Sequence, residues 1–498
     1  MTTHAAVILP VKIKKAIILD YAFLADLNPA TYQKPAGLLV FQNEVLIERL
    51  IKQLKNSEVE EIYLVAGYYS EKLLEIEKKY QLRLLIYDNF QDVSFQKLLQ
   101  FLLPYLDQSL VIRSNLYFTD LNLNSLKLEN WCIYDNSLHH GKEYLGAFYL
   151  DKELKELVSL LDKSYFNEIE LFNQFLQLFK NVKNQYNFYL LNHINQALKL
   201  DRNFLITNKN DVLKTIAKIF QIDLSLLKDF HIIKKGMTNN SFTFSINKKQ
   251  YIFRLSGFGS DKLLSRKNEA AVYQTLKDYD ISDEVIYFDA NKGYKIAYYY
   301  HDSTSLTAYR AQDIFDAMEL LNRLHQKKLV VNHTFEFSNW LETYYQLTLK
   351  QKVSFPDNFA EFKVAIEKLI KELQLLNRPV VLCHIDSVAG NILRLKEGRH
   401  IFIDWEYAGM ADPILDVAMY AISANYNPSL ANQLLNIYLK RDASAFERNL
   451  FYHYIVVASF LWSIWALYKQ AIGIDYEKYY TDKYQIAQNY FDLLKSFK

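Results

Sequence analysis

Four polar residues at fixed spacing carry the clearest chemistry in this chain. The stretch Leu382-Cys383-His384-Ile385-Asp386-Ser387-Val388-Ala389-Gly390-Asn391 holds a His-x-Asp-x4-Asn pattern, and a second aspartate, Asp404, closes the apolar run Ile401-Phe402-Ile403 thirteen positions later. Transfer of a phosphoryl group to an alcohol asks three things of such a segment. A carboxylate must orient the hydroxyl or accept its proton, oxygen ligands must hold a divalent cation against the phosphates, and both must sit on a rigid hairpin so that attack is in line. Asp386 suits the first role and Asn391 and Asp404 the second, while His384 would brace the loop. The plainer reading makes Asp386 and Asn391 turn residues and Asp404 a helix cap, which leaves the coincidence of all four unexplained.

Pieces upstream fit the same chemistry. Gly236-Met237-Thr238-Asn239-Asn240 lies between two strand candidates, where backbone N–H groups can be presented to phosphates. Thr238, Asn239 and Asn240 are therefore read as nucleotide-binding. Arg254, on the strand candidate Tyr251–Leu255, stands where a kinase-like lobe places its phosphate-contacting base, and Glu269 on the following helix is its natural ionic partner. Read alone, that pair is an ordinary surface salt bridge of small worth. Protein kinases place an Asp and an Asn five apart on the catalytic loop, with a metal-binding Asp on the next strand, and the spacing here is the same.

The elements that must position these residues divide the chain in two. Before about residue 205, short apolar runs of strand length (14–20, 60–66, 82–87, 109–112) alternate with amphipathic helical stretches (43–56, 70–79, 95–103). That alternation predicts a parallel α/β sheet. Beyond it, a helix at 212–220, strands within 232–255 and 294–300 and a helix at 267–277 come first, and after residue 310 the pattern is mostly helical. Strands first and helices later predict an α+β body of two lobes. The expected domains are 1–205 and 206–498, the latter with an N-lobe over 206–302 and a C-lobe over 303–498.

Composition narrows the partners. The 498 residues include 58 basic and 56 acidic side chains, a net charge of +2, so no electrostatic field favours nucleic acid or an anionic membrane. Cys132 and Cys383 are about 250 positions apart, which suits neither a metal site nor a disulfide framework and points to a reducing cytoplasm. The apolar patch Ala5–Pro10 lacks a basic segment before it and a cleavage site after it, as a signal peptide would require. The most apolar run, Tyr454–Tyr468, falls short of the roughly 20 residues that span a bilayer. The expectation is a cytoplasmic protein acting on a small molecule.

Residues from about 210 to 498 resemble the choline/ethanolamine kinase family, within the larger aminoglycoside-phosphotransferase-like group. The resemblance rests on Gly236–Asn240, Ile252-Phe253-Arg254-Leu255, Ser265-Arg266-Lys267-Asn268-Glu269, the 383–416 block with Asp404-Trp405-Glu406-Tyr407 and Asp412–Asp416, and Phe460-Leu461-Trp462-Ser463-Ile464-Trp465. It implies ATP-dependent phosphorylation of choline to phosphocholine, with catalytic Asp386, magnesium ligands Asn391 and Asp404, and nucleotide contacts at Arg254 and Glu269. One departure is Ile385, where many members have Asn or Gly. A quaternary ammonium offers no N–H, so aromatic faces beside a carboxylate hold it best. Trp405, Glu406, Trp462, Trp465 and Tyr468 are the candidates, although aromatics at helical spacing are also ordinary core. Ethanolamine or another small alcohol as acceptor, and a non-catalytic regulatory binding role, stay open alternatives.

Residues 14–200 resemble the sugar- and choline-phosphate nucleotidyltransferases, through Ala16-Ile17-Ile18-Leu19, Lys34-Pro35, Leu46-Ile47-Glu48-Arg49, Glu61–Tyr68 and Gly146–Leu150. The resemblance implies a partner activity that would convert phosphocholine and CTP to CDP-choline, making the chain bifunctional. The motif residues argue against it. Where the family has a Gly-rich loop ending in a base, this chain reads Asp20-Tyr21-Ala22-Phe23-Leu24-Ala25-Asp26-Leu27, without glycine and with two acids, which suits phosphate poorly. The family's metal-binding aspartates align with Asn115 and Asn195, neutral amides where carboxylates would offset a metal and a triphosphate. Lys34 is retained. The domain is expected to be degenerate, serving dimerisation or support of the kinase.

Overall fold

A computed structural model describes residues 13–22, 24–88, 95–119, 121, 131–135, 144–150, 180–181, 188–191, 193–233, 239–256, 264–351, 353–472 and 476–496. Contacts divide the chain into two compact units, Met1–Ile232 and Ile233–Lys498. The stretch after residue 205 is held to the first unit by side-chain amides. Asn208 bonds the backbone of Val40 on both sides (2.8 and 2.7 Å), and Asn210 donates to the Pro29 carbonyl.

The first unit is built on a seven-stranded sheet in the order Lys180–Asn181, Trp131–Asp135, Tyr144–Leu150, Ser109–Arg113, Lys15–Asp20, Glu61–Ala66, Arg83–Ile86. Its buried strands are apolar on both faces. Ala16 and Ile18 pack with Ile47, Leu50, Ile51 and Leu54 of the helix Leu46–Asn56, and Ile17 and Leu19 pack with Leu98, Leu99 and Leu102 of the helix Phe95–Leu102. Covering both faces is what makes these strands near-continuous hydrophobic runs. The sheet is not wholly parallel, as the alternation of elements had suggested. Lys15–Asp20 runs parallel to Glu61–Ala66 and Ser109–Arg113, but Tyr144–Leu150 enters antiparallel beside Ser109–Arg113. A run buried on both faces reads alike in either direction, so periodicity does not fix its sense.

The second unit opens on an antiparallel sheet whose strands within this unit run in the order Asn239–Ile246, Lys249–Ser256, Tyr294–Tyr298, Val285–Asp289. Asn247 and Lys248 close a two-residue hairpin with φ of 50° and 68°, the conformation that matches strand twist. Ser265 caps the helix Arg266–Leu276, its hydroxyl accepting from Asn268 N at 3.3 Å. The larger lobe gathers around the helix Ala445–Ala471, which a capping box of Ser444 and Glu447 starts and whose buried face runs from Leu450 to Lys469. Phe337–Lys350, Phe359–Leu375, Pro413–Ser423 and Glu477–Ser496 pack against it. The apolar run at 454–468 is thus part of a 27-residue helix whose apolar window has mean hydropathy 1.6, long enough to cross a bilayer, yet 94% of that window is buried inside this unit. Covering by neighbouring helices, rather than shortness, is what sets it apart from a membrane span.

The two lobes of this unit meet along backbone hydrogen bonds that fix the site. Phe402 N donates to Ile281 O at 2.7 Å and Asp283 N to Phe402 O at 3.2 Å. The strand His400–Phe402, which delivers Asp404, is thereby tied to the segment after the helix Arg266–Leu276.

Candidate active site

Two short hairpins carry the catalytic pattern. Val381–Cys383 pairs with Gly409–Ala411, and Ile392–Arg394 pairs with His400–Phe402. Between them the loop from His384 to Asn391 turns on an unusual residue. Ile385 has φ of 67° and is wholly buried, a left-handed conformation that costs a β-branched residue roughly 1–2 kcal/mol. Asp416 holds it there. Its buried carboxylate accepts from His384 N (2.8 Å) and Ile385 N (2.7 Å), and Ser387 Oγ donates to the Asp416 carbonyl at 2.6 Å. His325 Nε2 lies 3.0 Å from the same carboxylate and its Nδ1 2.8 Å from Tyr438 Oη. The family's preference for Asn or Gly at this position now has a backbone reason.

The loop brings Asp386 and Asn391 together. Asn391 Nδ2 donates to Asp386 Oδ2 at 2.8 Å and to the Asp386 carbonyl at 2.9 Å. Burial pushes the Asp386 carboxyl up to about 7, Glu406 adds to the rise, and the Asn391 amide opposes it. A carboxylate poised near neutral pH suits acceptance of a hydroxyl proton. His384 Nε2 lies 3.0 Å from the Ile403 carbonyl, so that nitrogen carries the proton. Burial lowers its pKa to about 4, leaving a neutral strut between the loop and the strand that delivers Asp404.

Asp404 also has φ of 67°, which an aspartate tolerates better than most residues. Its Oδ1 is buried and has no hydrogen-bond partner among the described residues, with Arg254 Nη1 at 3.7 Å. Burial raises its pKa, Glu406 adds to this, and Arg254 and Lys295 oppose it. A carboxylate oxygen without a hydrogen-bond partner and an amide oxygen such as that of Asn391 are hard-oxygen donors of the kind that suits Mg²⁺.

Arg254 and Glu269 meet as the sequence suggested. The guanidinium is bidentate on the carboxylate, through Nη1–Oε1 and through Nη2–Oε2 at 2.9 Å, with both residues buried. Burial opposes the charge on Arg254, but Glu269 and Asp404 hold it cationic. A bidentate pair of this kind fixes the orientation of a guanidinium. Lys295, in register with Arg254 on the next strand, bonds Asp283 (2.9 Å) and Tyr273 Oη (2.6 Å). Asn239 and Asn240 begin a strand, opposite Ser256 and Leu255. Gly236, Met237 and Thr238 lie outside the described residues.

The acceptor-side candidates separate. Trp405 is 0% exposed, its ring 4.5 Å from His384 and 5.6 Å from Phe402. Trp405 lies in the core, where it packs against His384. Glu406 is buried and its Oε2 lies 3.2 Å from Arg266 Nη1. Trp462 and Trp465 meet edge-to-face at 5.8 Å, and their cluster extends to Tyr407 (5.0 Å from Trp462) and to Tyr476 and Tyr479 (5.1 and 6.0 Å from Trp465). Burial raises the Tyr479 pKa, and Asp386 adds to the rise, which puts this phenol within electrostatic reach of the loop. Lys469 Nζ stands 5.6 Å over the Trp465 ring. Tyr468 is buried in the same core.

Tyr476 and Tyr479, Lys295 with Asp283, Arg266 and Asp416 had no assigned role in the sequence reading. Asp416 alone left a signal, an acid inside the apolar stretch Ile414-Leu415-Asp416-Val417-Ala418, where a charge is costly unless partnered.

The first unit places its amides differently. Asn195 clamps the Phe230 backbone, Nδ2 to the carbonyl at 2.6 Å and Oδ1 from the amide at 3.0 Å. Asn115 is buried with Nδ2 on the Leu191 carbonyl at 2.9 Å. At the adjoining strand ends, Asp20 accepts from Gly37 N (3.1 Å) and Ser114 Oγ (2.8 Å). Lys34 is half-buried, its pKa lowered by burial and by Lys72.

A two-lobed unit with a His-x-Asp loop, an anchored Arg–Glu pair and a strand-end aspartate defines a phosphotransferase acting on an alcohol. Residues 230–488 match the choline/ethanolamine kinase family, and the chain belongs to it. Protein LicA of Haemophilus influenzae is 26% identical over 255 residues, covering 49% of this chain and 94% of that protein. The choline-phosphate cytidylyltransferase of Streptococcus pneumoniae is 27% identical over 175 residues in the N-terminal region, 30% of this chain and 76% of that one. Among solved structures, choline kinase LicA from Streptococcus pneumoniae is 25% identical with a TM-score of 0.49, covering 57% of this chain and 100% of that one.

Proposed function

We propose that this chain phosphorylates the hydroxyl of choline, giving phosphocholine from ATP. The observation that carries this reading is the Asn391–Asp386 contact of 2.8 Å, together with an Asp404 Oδ1 that has no hydrogen-bond partner among the described residues. Asp386 orients the acceptor hydroxyl and takes its proton as oxygen attacks phosphorus. Asn391 and Asp404 would hold Mg²⁺, which when bound neutralises phosphate charge. Arg254, fixed by Glu269, contacts the phosphates. For the trimethylammonium group, Tyr407, Trp462, Trp465, Tyr476 and Tyr479 supply aromatic faces and Glu406 a carboxylate. The names of the relatives, choline kinase among them, support choline over other acceptors.

The domains we propose are the nucleotidyltransferase-like 1–205 and the kinase 206–498. In the former, Asn115 and Asn195 are engaged by backbone and Asp20 takes the nearby donors, so cytidylyl transfer is not expected.

The test is phosphoryl transfer from ATP to choline, ethanolamine and other amino alcohols by purified protein, with CTP and phosphocholine in a parallel arm. Choline should be turned over best and no CDP-choline should form. Ethanolamine preferred over choline would replace the acceptor, and no turnover of any acceptor would end the reading.

A further inference from the structure

Four buried ionic side chains of the kinase unit, Arg254, Glu269, Arg266 and Glu406, form one continuous chain of alternating charge. Arg254 holds Glu269 bidentately. Arg266 Nη1 lies 2.8 Å from Glu269 Oε2 and 3.2 Å from Glu406 Oε2. That single nitrogen carries two hydrogens and can donate one to each carboxylate. Arg266, Glu269 and Glu406 are 6%, 1% and 7% exposed, so the chain runs through a weakly screened interior. In the proposed reaction, one end is the cation over the phosphates and the other is the carboxylate on the acceptor side. Arg266 is also the first residue of its helix, where the macrodipole disfavours a cation. Helix stability therefore does not account for it.

We propose that Arg266 is a positioning residue that couples nucleotide binding to acceptor binding, a role that rests on the kinase reading above. Phosphates drawn to Arg254 weaken its hold on Glu269. Glu269 then draws Arg266 more strongly, and Arg266 releases part of its hold on Glu406. The freed carboxylate attracts the ammonium of the acceptor. In an alternating chain, a negative charge added at one end favours a positive charge at the other. Linkage requires the reverse as well, so acceptor tightens nucleotide by the same factor.

The experiment measures the dissociation constant of choline by calorimetry with the full chain, with and without a saturating non-hydrolysable ATP analogue and Mg²⁺. Wild type should bind choline on the order of tenfold more tightly when the analogue is present, within the usual range for coupled sites. In Arg266→Met the ratio should fall to about one, while choline binding without nucleotide is as tight as wild type or tighter, because Arg266 no longer competes for Glu406. Arg266→Lys, which keeps a charged nitrogen, should recover part of the ratio. A merely structural defect would weaken choline binding in both states, and that result overturns the proposal, as does a ratio that survives in Arg266→Met. Turnover of choline by wild type without any coupling overturns this inference and leaves the kinase reading intact. If another amino alcohol is the acceptor, the same titration uses it, and if none is turned over both readings fall.

Discussion

Ile385 sets a buried side chain against a strained backbone, and the two terms can be separated by two substitutions. The side chain is 0% exposed, so truncation to alanine removes three buried carbons and leaves a cavity, about 3 kcal/mol within the range for core truncations. The φ of 67° persists in Ile385→Ala, because Asp416 holds the amides of residues 384 and 385 from the backbone side. Ile385→Gly loses the same burial and one carbon more, but recovers roughly 1–2 kcal/mol of left-handed strain. It gives back about 0.5–1 kcal/mol through the greater freedom of unfolded glycine. The extra buried carbon costs about 0.8 kcal/mol more, so both variants should be less stable than wild type, and glycine should equal or slightly exceed alanine. Denaturant unfolding of the ligand-free chain, followed by tryptophan fluorescence, reads the difference, since Trp405, Trp462 and Trp465 all report on this core. Turnover of choline should persist in both variants, because neither removes a side chain that touches reactants. Alanine more stable than glycine by more than about 1 kcal/mol, the carbon and entropy terms alone, would refute the claim that the loop imposes this conformation.

Two further outcomes follow from buried carboxyls. Asp386 titrates near pH 7 through burial and Glu406, and its ionised form is the active one, so kcat should fall as pH drops below about 7. Asp386→Asn should lower kcat by 10²–10⁴-fold and remove that limb of the profile, and a variant as fast as wild type would end the assignment. In the first unit, burial lifts Asp20 from 3.8 to about 6. The folded state thus favours its protonated form, a stabilisation complete below pH about 4 and lost as pH rises through about 6, worth about 3 kcal/mol. Asp20→Asn should therefore gain stability on wild type by that amount between pH 4 and pH 8, measured by denaturant unfolding at each pH, and a gap that does not change with pH would contradict it.

The spacing His384-x-Asp386-x4-Asn391 was enough to foresee that Asp386 and Asn391 meet, because a tight loop forces residues at that separation together. The Arg254–Glu269 pair was legible for a similar reason, fifteen residues apart on a strand and the helix that packs over it. Which aromatics are enclosed was not legible. Trp405 and Trp465 read alike in sequence, yet one braces His384 and the other joins a cluster with Tyr476 and Tyr479.

By itself the sequence determined the meeting of Asp386 with Asn391 and the alternation of strands and helices, since both are written in short-range spacing. Tertiary structure alone decided the direction of the strand Tyr144–Leu150, the grip of Asp416 on the loop and the contact of Arg266 with Glu406. The last of these joins residues 140 positions apart. Such pairings depend on how the lobes of the kinase unit close over buried charge, and a buried charge takes whichever partner the packing delivers.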